Sequence, residues 1–242
     1  MKKATVFIIA LLLSTTVSHA KWGKKKIKGN GNVTTVTRTT SDYEGVSVAG
    51  FFDVELVAGT EGKITLKGES NLLEYVTTEV KNNVLKIKTK KGYNLRTSRG
   101  KSIVITVPFQ DINKVSLSGS GDVYTKDTIK TDSFKMALAG SGDVIIDIDT
   151  DNLKMAVSGS GDMTAKGNAG KAEIALSGSG DIHAYGLKAK SATVSLAGSG
   201  DIRVHATDYL KARVAGSGDI TFKGKPAKQD TKVAGSGSIS MN

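Results

Sequence analysis

The tetrapeptide Gly-Ser-Gly-Asp recurs six times, ending at Asp122, Asp143, Asp162, Asp181, Asp201 and Asp219, and a seventh copy, Gly-Ser-Gly-Ser, ends at Ser238. Successive copies lie 21, 19, 19, 20, 18 and 19 residues apart. A unit this short cannot bury an apolar face by itself, so it has to stack on its neighbours, and a fixed short period is the signature of a solenoid. The flanking residues say what kind. Val115 and Leu117 lead into the first copy, Met136 and Leu138 into the second, Ile174 and Leu176 into the fourth, and Val194 and Leu196 into the fifth. Val123, Val144, Met163, Ile182, Ile202 and Ile220 follow the motif at one offset, with Ile146, Val204 and Phe222 two positions beyond. Apolar residues at every second position mark strands with one buried face. Stacked as coils about 4.8 Å apart, these positions form continuous aliphatic columns. The expected fold is all-β, a right-handed parallel β-helix of 19–20 residues per coil over residues 111–242. Leucine-rich repeats carry Leu and Asn at other spacings, and calcium-binding nonapeptide repeats have about half this period.

Residues 33–110 lack the motif and read as more irregular β structure that caps or begins the solenoid, since an uncapped stack would leave its first apolar coil in water. Strand-like segments fall at 45–56, 63–67, 75–80, 84–89 and 102–107. Asn82-Asn83 between two alternating runs predicts a hairpin turn, and residues 69–73 read as one helical turn.

The first twenty residues have the parts of a secretory signal peptide: basic Lys2 and Lys3, an apolar run from Val6 to Leu13, and small Ser18 and Ala20 at the cleavage position. The run is too short to span a bilayer, where roughly 20 residues are needed. Export to the periplasm, the cell surface or the medium is expected. The chain has no cysteine, which excludes disulfides, thiolate metal sites and a lipidated cysteine. Apolar burial must therefore hold the fold, and 38% hydrophobic residues can supply it.

Without Lys2 and Lys3 the formal charge falls from +11 to +9, and Lys21, Lys24, Lys25, Lys26 and Lys28 form one basic cluster. Residues 21–32 read as a flexible basic leader, with attraction to an anionic polymer as the functional alternative. Nucleic acid is not an expected partner, because no aromatic residue beyond Trp22 interleaves with these lysines for base stacking.

Gly50-Phe51-Phe52-Asp53-Val54-Glu55-Leu56, Glu69-Ser70-Asn71-Leu72-Leu73 followed by Thr78-Glu79-Val80, and Ile103-Val104-Ile105-Thr106-Val107-Pro108, together with the Ser-Gly-Ser-Gly-Asp series, resemble the auto-transporter adhesin, head GIN domain family. The resemblance spans residues 33–242. It implies an exported β-helical protein with a role in adhesion, and it supplies no catalytic residues. A self-secreting autotransporter needs a C-terminal membrane barrel; here the sequence stops at Met241-Asn242 directly after its last coil, so self-secretion is not expected.

If alternation runs through the motif, both glycines face inward and a Ser/Asp ladder faces outward: Ser120/Asp122, Ser141/Asp143, Ser160/Asp162, Ser179/Asp181, Ser199/Asp201 and Ser217/Asp219. Carboxylates one strand apart repel by about 1 kcal/mol in water and about 3–4 kcal/mol at an effective dielectric of 20. Backbone N–H donors at the glycine-rich bends can offset this, and so can a bridging cation, with calcium the best match to such oxygens. Ser238 favours the bend, since that coil keeps its turn without a carboxylate. Asp147, Asp149 and Asp151 read as an exposed strand face, and His183 and His205 as surface residues one coil apart.

Three functions compete. A binding or adhesion-type module would present its repetitive surface to a glycan, a cell-envelope polymer or a protein. A carbohydrate-active β-helix enzyme would need inserted loops, a carboxylate pair and aromatic platforms, against coils that vary by three residues and 5% aromatic content. A structural envelope component would self-associate through the edge of its terminal coil at 238–242. No catalytic triad, phosphate loop or zinc-helix motif stands out, and the binding module is the expectation, with no cofactor.

Overall fold

In the computed structural model, which describes residues 23–242, the alternating segments around each motif are strands that pair in parallel with the same segments one repeat away. Before the motif, Leu138, Val157, Leu176, Leu196 and Val214 share one register position. After it, Val144, Met163, Ile182, Ile202 and Ile220 share another. All ten are buried, and burying each such side chain stabilises the fold by about 1.5–3 kcal/mol. The chain is an all-β parallel solenoid whose core is a set of aliphatic columns. Differences in coil length are absorbed away from the motif: register slips occur between Thr164 and Lys166, between Ala184 and Lys188 and between Ala189 and Ser191, while the glycine corners stay in step.

The stacking order departs from the chain order at the start. The first coil, Gly45–Gly50 with Asp53–Ala58, pairs on one side with Lys114–Gly119 and Val123–Thr125. On its other side it pairs with Val84–Thr89 and Val104–Phe109. The chain thus leaves the first coil, returns beneath it, and only then crosses over it to begin the repeats. Antiparallel strands close the bottom: Val76–Lys81 lies against Val84–Thr89, Lys63–Glu69 against Val104–Phe109, and Val33–Thr39 against Lys63–Glu69. Such strands cover edges that would otherwise template pairing. The helical turn Ser70–Leu73 puts Leu72 and Leu73 into the core. The Arg38 guanidinium donates to the carbonyls of Leu73 (2.6 Å) and Val76 (2.5 Å), tying that turn to the outer strand. Asn82 and Asn83 both have left-handed φ values, 53° and 58°, as a type I′ hairpin turn requires.

The signal-like residues 1–20, with Lys21 and Trp22, lie outside the described residues. The rest of the basic segment differs from the flexible leader expected at 21–32. Lys25–Lys28 is a strand paired in parallel with Tyr93–Arg96, and Ile27 packs against the core. A buried carboxylate anchors it. Glu69, with no exposed surface, accepts from the backbone N–H of Gly31 (2.6 Å), the backbone N–H of Ser98 (2.8 Å) and the Ser98 hydroxyl (2.6 Å). The space where a Cβ of residue 29 would sit is filled by this carboxylate, so the chain passes it as Gly29. The Ser98 hydroxyl above all, with the two backbone donors, holds Glu69 below its ordinary 4.5 against the opposing effect of burial. Lysine content alone suggested a solvated tail; the fixing residues lie about 40 and 70 positions further along.

Because the folded-state value is lowered, the stabilisation from Glu69 is complete above the ordinary carboxyl range and is lost as pH falls through the lower folded value. Hydrogen exchange at the Gly31 and Ser98 amides, corrected for intrinsic rates, should lose protection only on strong acidification, and Glu69→Ala, which removes both acceptor oxygens, should lose it already at neutral pH. Unchanged protection in that variant would exclude the anchor.

Candidate functional site

Each motif forms one corner of a coil, and the corner is built from backbone contacts. The first glycine is in the left-handed region throughout, from φ 130° at Gly159 to 147° at Gly216. The second has no such requirement, yet it is just as constrained. For Gly142, Gly161, Gly180, Gly200 and Gly218 alike, the position of a Cβ coincides with the carbonyl oxygen of the equivalent glycine one coil earlier. Alternation persists through the corner, so the second glycine is buried and the serine between the two is exposed.

This geometry leaves one amide without a backbone partner. The serine N–H donates to the first glycine's carbonyl of the preceding coil, for example Ser179 to Gly159 at 2.9 Å. The aspartate carbonyl accepts from the residue after the motif of the preceding coil, as Asp181 does from Met163 at 2.9 Å. The aspartate N–H turns instead to a side chain. Asp143, Asp162, Asp181, Asp201 and Asp219 donate to Oδ1 of Asp122, Asp143, Asp162, Asp181 and Asp201 at 3.0, 3.1, 2.8, 2.8 and 2.9 Å. Ser238 ends the series by donating from both N–H (2.7 Å) and Oγ (2.9 Å) to Asp219. The donor to each carboxylate therefore comes from the next coil and not from its own bend. Every predicted ladder residue lies in this one column.

Asp53 extends the column downward. Burial first, and the Asp122 carboxylate second, push its carboxyl above 3.8, while the Asp122 backbone N–H and the Ser102 hydroxyl pull it the other way. Its coil carries Phe51-Phe52 in place of Ser-Gly, which hid the equivalence in the sequence. The remaining candidates do not converge. Asp149 accepts from the Asn168 side-chain amide (2.7 Å) and Asp147 lies beside Lys166 in register. Arg203, not His205, stands next to His183. Among the described residues no three His, Cys, Asp or Glu side chains are grouped to hold a metal ion.

A second feature was not anticipated. Strand pairing is interrupted for one residue at Asp132, Asp151 and Gly170, and directly beyond this break a concave groove of about 570 Å³ runs along the solenoid axis. Its floor is Phe134, Leu153 and Ala172, each 1–3% exposed. One bank carries Ser133, Asn152, Lys171, Ser191 and Tyr209 in consecutive register, and the other Lys135, Lys154, Glu173 and Thr193. Lys154 Nζ lies 2.8 Å from Glu173. The available signal was a lysine five residues before the first glycine, at Lys114, Lys135, Lys154 and Lys211.

The comparisons with known proteins agree with this architecture. The family profile described as "Putative auto-transporter adhesin, head GIN domain" matches residues 42–226. The solved structure of a protein described as a putative adhesin from Bacteroides fragilis is similar with a TM-score of 0.81 at 26% identity, covering 89% of this chain and 100% of that one. One described as a putative lipid binding protein from Parabacteroides distasonis gives 0.74 at 30% identity, covering 90% and 100%. A third, from Parabacteroides merdae, shares the fold at a TM-score of 0.70 and 24% identity, covering 90% and 99%. No curated protein matches the chain significantly.

The corner geometry separates two substitutions. Gly180→Ala needs no change of φ, but its Cβ would also stand 2.9 Å from the Gly161 carbonyl carbon, and chemical denaturation should show a loss of about 3 kcal/mol, the upper part of the overpacking range. Ser179→Ala on the exposed side should stay within about 0.5 kcal/mol. For the ladder, Asp181→Ala strands the Asp201 N–H and should cost about 1–2 kcal/mol, whereas Asp181→Asn keeps an Oδ1 acceptor and should cost clearly less. Equal losses for Ala and Asn would exclude the acceptor role.

Proposed function

The chain belongs to the auto-transporter adhesin, head GIN domain family, and from that premise we propose that it is an exported, non-enzymatic binding module that holds an extended ligand along its axial groove. The observation that carries this reading is the register of the groove. Its banks are built from successive coils, so chemically similar positions repeat in a straight line at the strand spacing of about 4.8 Å. A repetitive, rigid surface suits a polymer or an elongated molecule better than a compact one.

Three further facts support it. The family profile and the Bacteroides fragilis structure are described as adhesins, and the Parabacteroides distasonis structure as a lipid binding protein, all binding descriptions. Coil lengths differ by at most three residues, and the differences are taken up as short register slips within the paired strands rather than as long loops over the groove. The signal-like first twenty residues support export. Among the described residues no helix is long and apolar enough to cross a membrane.

The test is a panel of glycans, envelope polymers and acidic lipids presented to the purified exported protein, alongside Asn152→Trp, which places a large side chain on the bank between Ser133 and Lys171. At least one extended ligand should bind, with affinity lowered 10-fold or more, about 1.4 kcal/mol, by the blocking residue. Undiminished binding by Asn152→Trp would remove the groove from the function, and accumulation of cleaved ligand would make the protein an enzyme.

A further inference from the structure

Resting on that reading of the groove, we propose that its ligand is a linear acidic polysaccharide, a chain of sugar rings bearing carboxylate or sulfate groups, whose charges are met by Lys135, Lys154 and Lys171. The electrostatics of the two repeat columns differ. Along the aspartate corner, every carboxylate from Asp122 to Asp219 receives a backbone N–H from the next coil, so each has a fixed hydrogen-bond donor within the fold. Along the groove, Lys135 and Lys154 occupy successive rungs of one bank, and Lys171 stands on the other bank one rung further on, across the floor from Glu173. Only Lys154 has an acidic partner, Glu173; among the described residues Lys114, Lys135 and Lys171 form no ion pair. Lys135 and Lys171, on opposite banks and two rungs apart, thus stand without a counter-charge, and an anionic chain laid between the banks would meet both.

The other lining groups select among anions. Ser133 and Asn152 place a hydroxyl and an amide on the rungs of Lys135 and Lys154, and Ser191 and Thr193 supply two hydroxyls on the rung beyond Lys171, suited to ring hydroxyls. Tyr209, half-buried at one end, offers an aromatic surface of the kind that stacks on a sugar face. The groove is also straight and open along the axis, and successive rungs repeat about every 4.8 Å, a spacing close to one sugar ring. The formal charge of +9 left without Lys2 and Lys3 adds a long-range field that draws a polyanion in.

The experiment measures affinities of the full exported protein for polygalacturonate, alginate and chondroitin sulfate, with dextran as the neutral polymer, polyglutamate as a polyanion without rings, and phosphatidylglycerol vesicles as an anionic lipid surface. The variants are a triple Lys135→Gln, Lys154→Gln, Lys171→Gln protein, a control with the same loss of charge at Lys63, Lys67 and Lys81 in the cap, and Asn152→Trp. At least one acidic polysaccharide should bind best, weaken as salt is raised, lose roughly 10-fold or more in the groove triple, and change little in the cap control. Equal or tighter binding of dextran, polyglutamate or vesicles overturns the proposal, as does an undiminished groove triple or failure of all three acidic polysaccharides. If Asn152→Trp abolishes binding of a neutral polymer or a lipid while the groove triple retains it, the acidic class falls and the groove stands; if neither variant changes binding, both fall.

Discussion

At each corner of the solenoid, the carbonyl oxygen of one coil occupies the volume in which the next coil's residue would carry its Cβ. Everything regular about the chain follows from that contact. It demands glycine twice per motif, and for two separable reasons: the first glycine also needs a left-handed φ, while the second needs only the absence of a side chain. It fixes the rung, because a corner that could not close to strand spacing would throw the aliphatic columns on both sides out of contact. It also explains the exception. Beneath Gly50 the nearest neighbour of a hypothetical Cβ is the ring of Phe52 rather than the carbonyl of a lower coil. No corner stacks under the first one, so the second glycine position is free to be Phe52, a fully buried ring that fills the end of the core.

Close stacking of bare backbone creates a polar problem that the motif's last residue solves. At the corner the ladder cannot supply a carbonyl to the aspartate N–H, and a part-buried amide without a partner is costly. The carboxylate one coil earlier provides the acceptor, which turns a column of like charges into a column of charge-assisted hydrogen bonds. Ser238 fits the same logic from the other end, donating to Asp219 from both its N–H and its hydroxyl.

How much of this the sequence reveals depends on whether the determining contact is periodic. The solenoid, its strand alternation and the outward Ser/Asp ladder are legible because the same residue types return at nearly the same interval. The Asn82-Asn83 turn is legible because two consecutive left-handed residues demand a narrow set of side chains. The return of the chain beneath its first coil is not, since neighbouring segments in sequence usually neighbour in space and nothing in Val84–Thr89 says which side of Gly45–Gly50 it joins. Glu69 reads as one more polar residue before a helical turn, and its burial becomes evident only when Gly31 and Ser98 arrive from distant parts of the chain. The groove was missed for a related reason: alternation places Lys135 and Asn152 outward but does not say that the surface between them is concave.

The division of labour between a contact repeated in every coil and a surface that changes from coil to coil then has a direct consequence for recognition. Within this chain the corner positions hardly vary from coil to coil, whereas the position five residues before the first glycine runs through Lys114, Lys135, Lys154, Glu173, Thr193 and Lys211. Substitutions there touch neither the glycine contacts nor the aliphatic columns, so they can change the charge along the groove without altering the spacing of its rungs. A module of this kind separates the ruler from the marks on it. Its ligand preference is written in exposed side chains whose replacement costs the fold little, typically within about 0.5 kcal/mol at a surface site, while the distance between those marks is held by backbone contacts that leave no room for a side chain in a stacked coil.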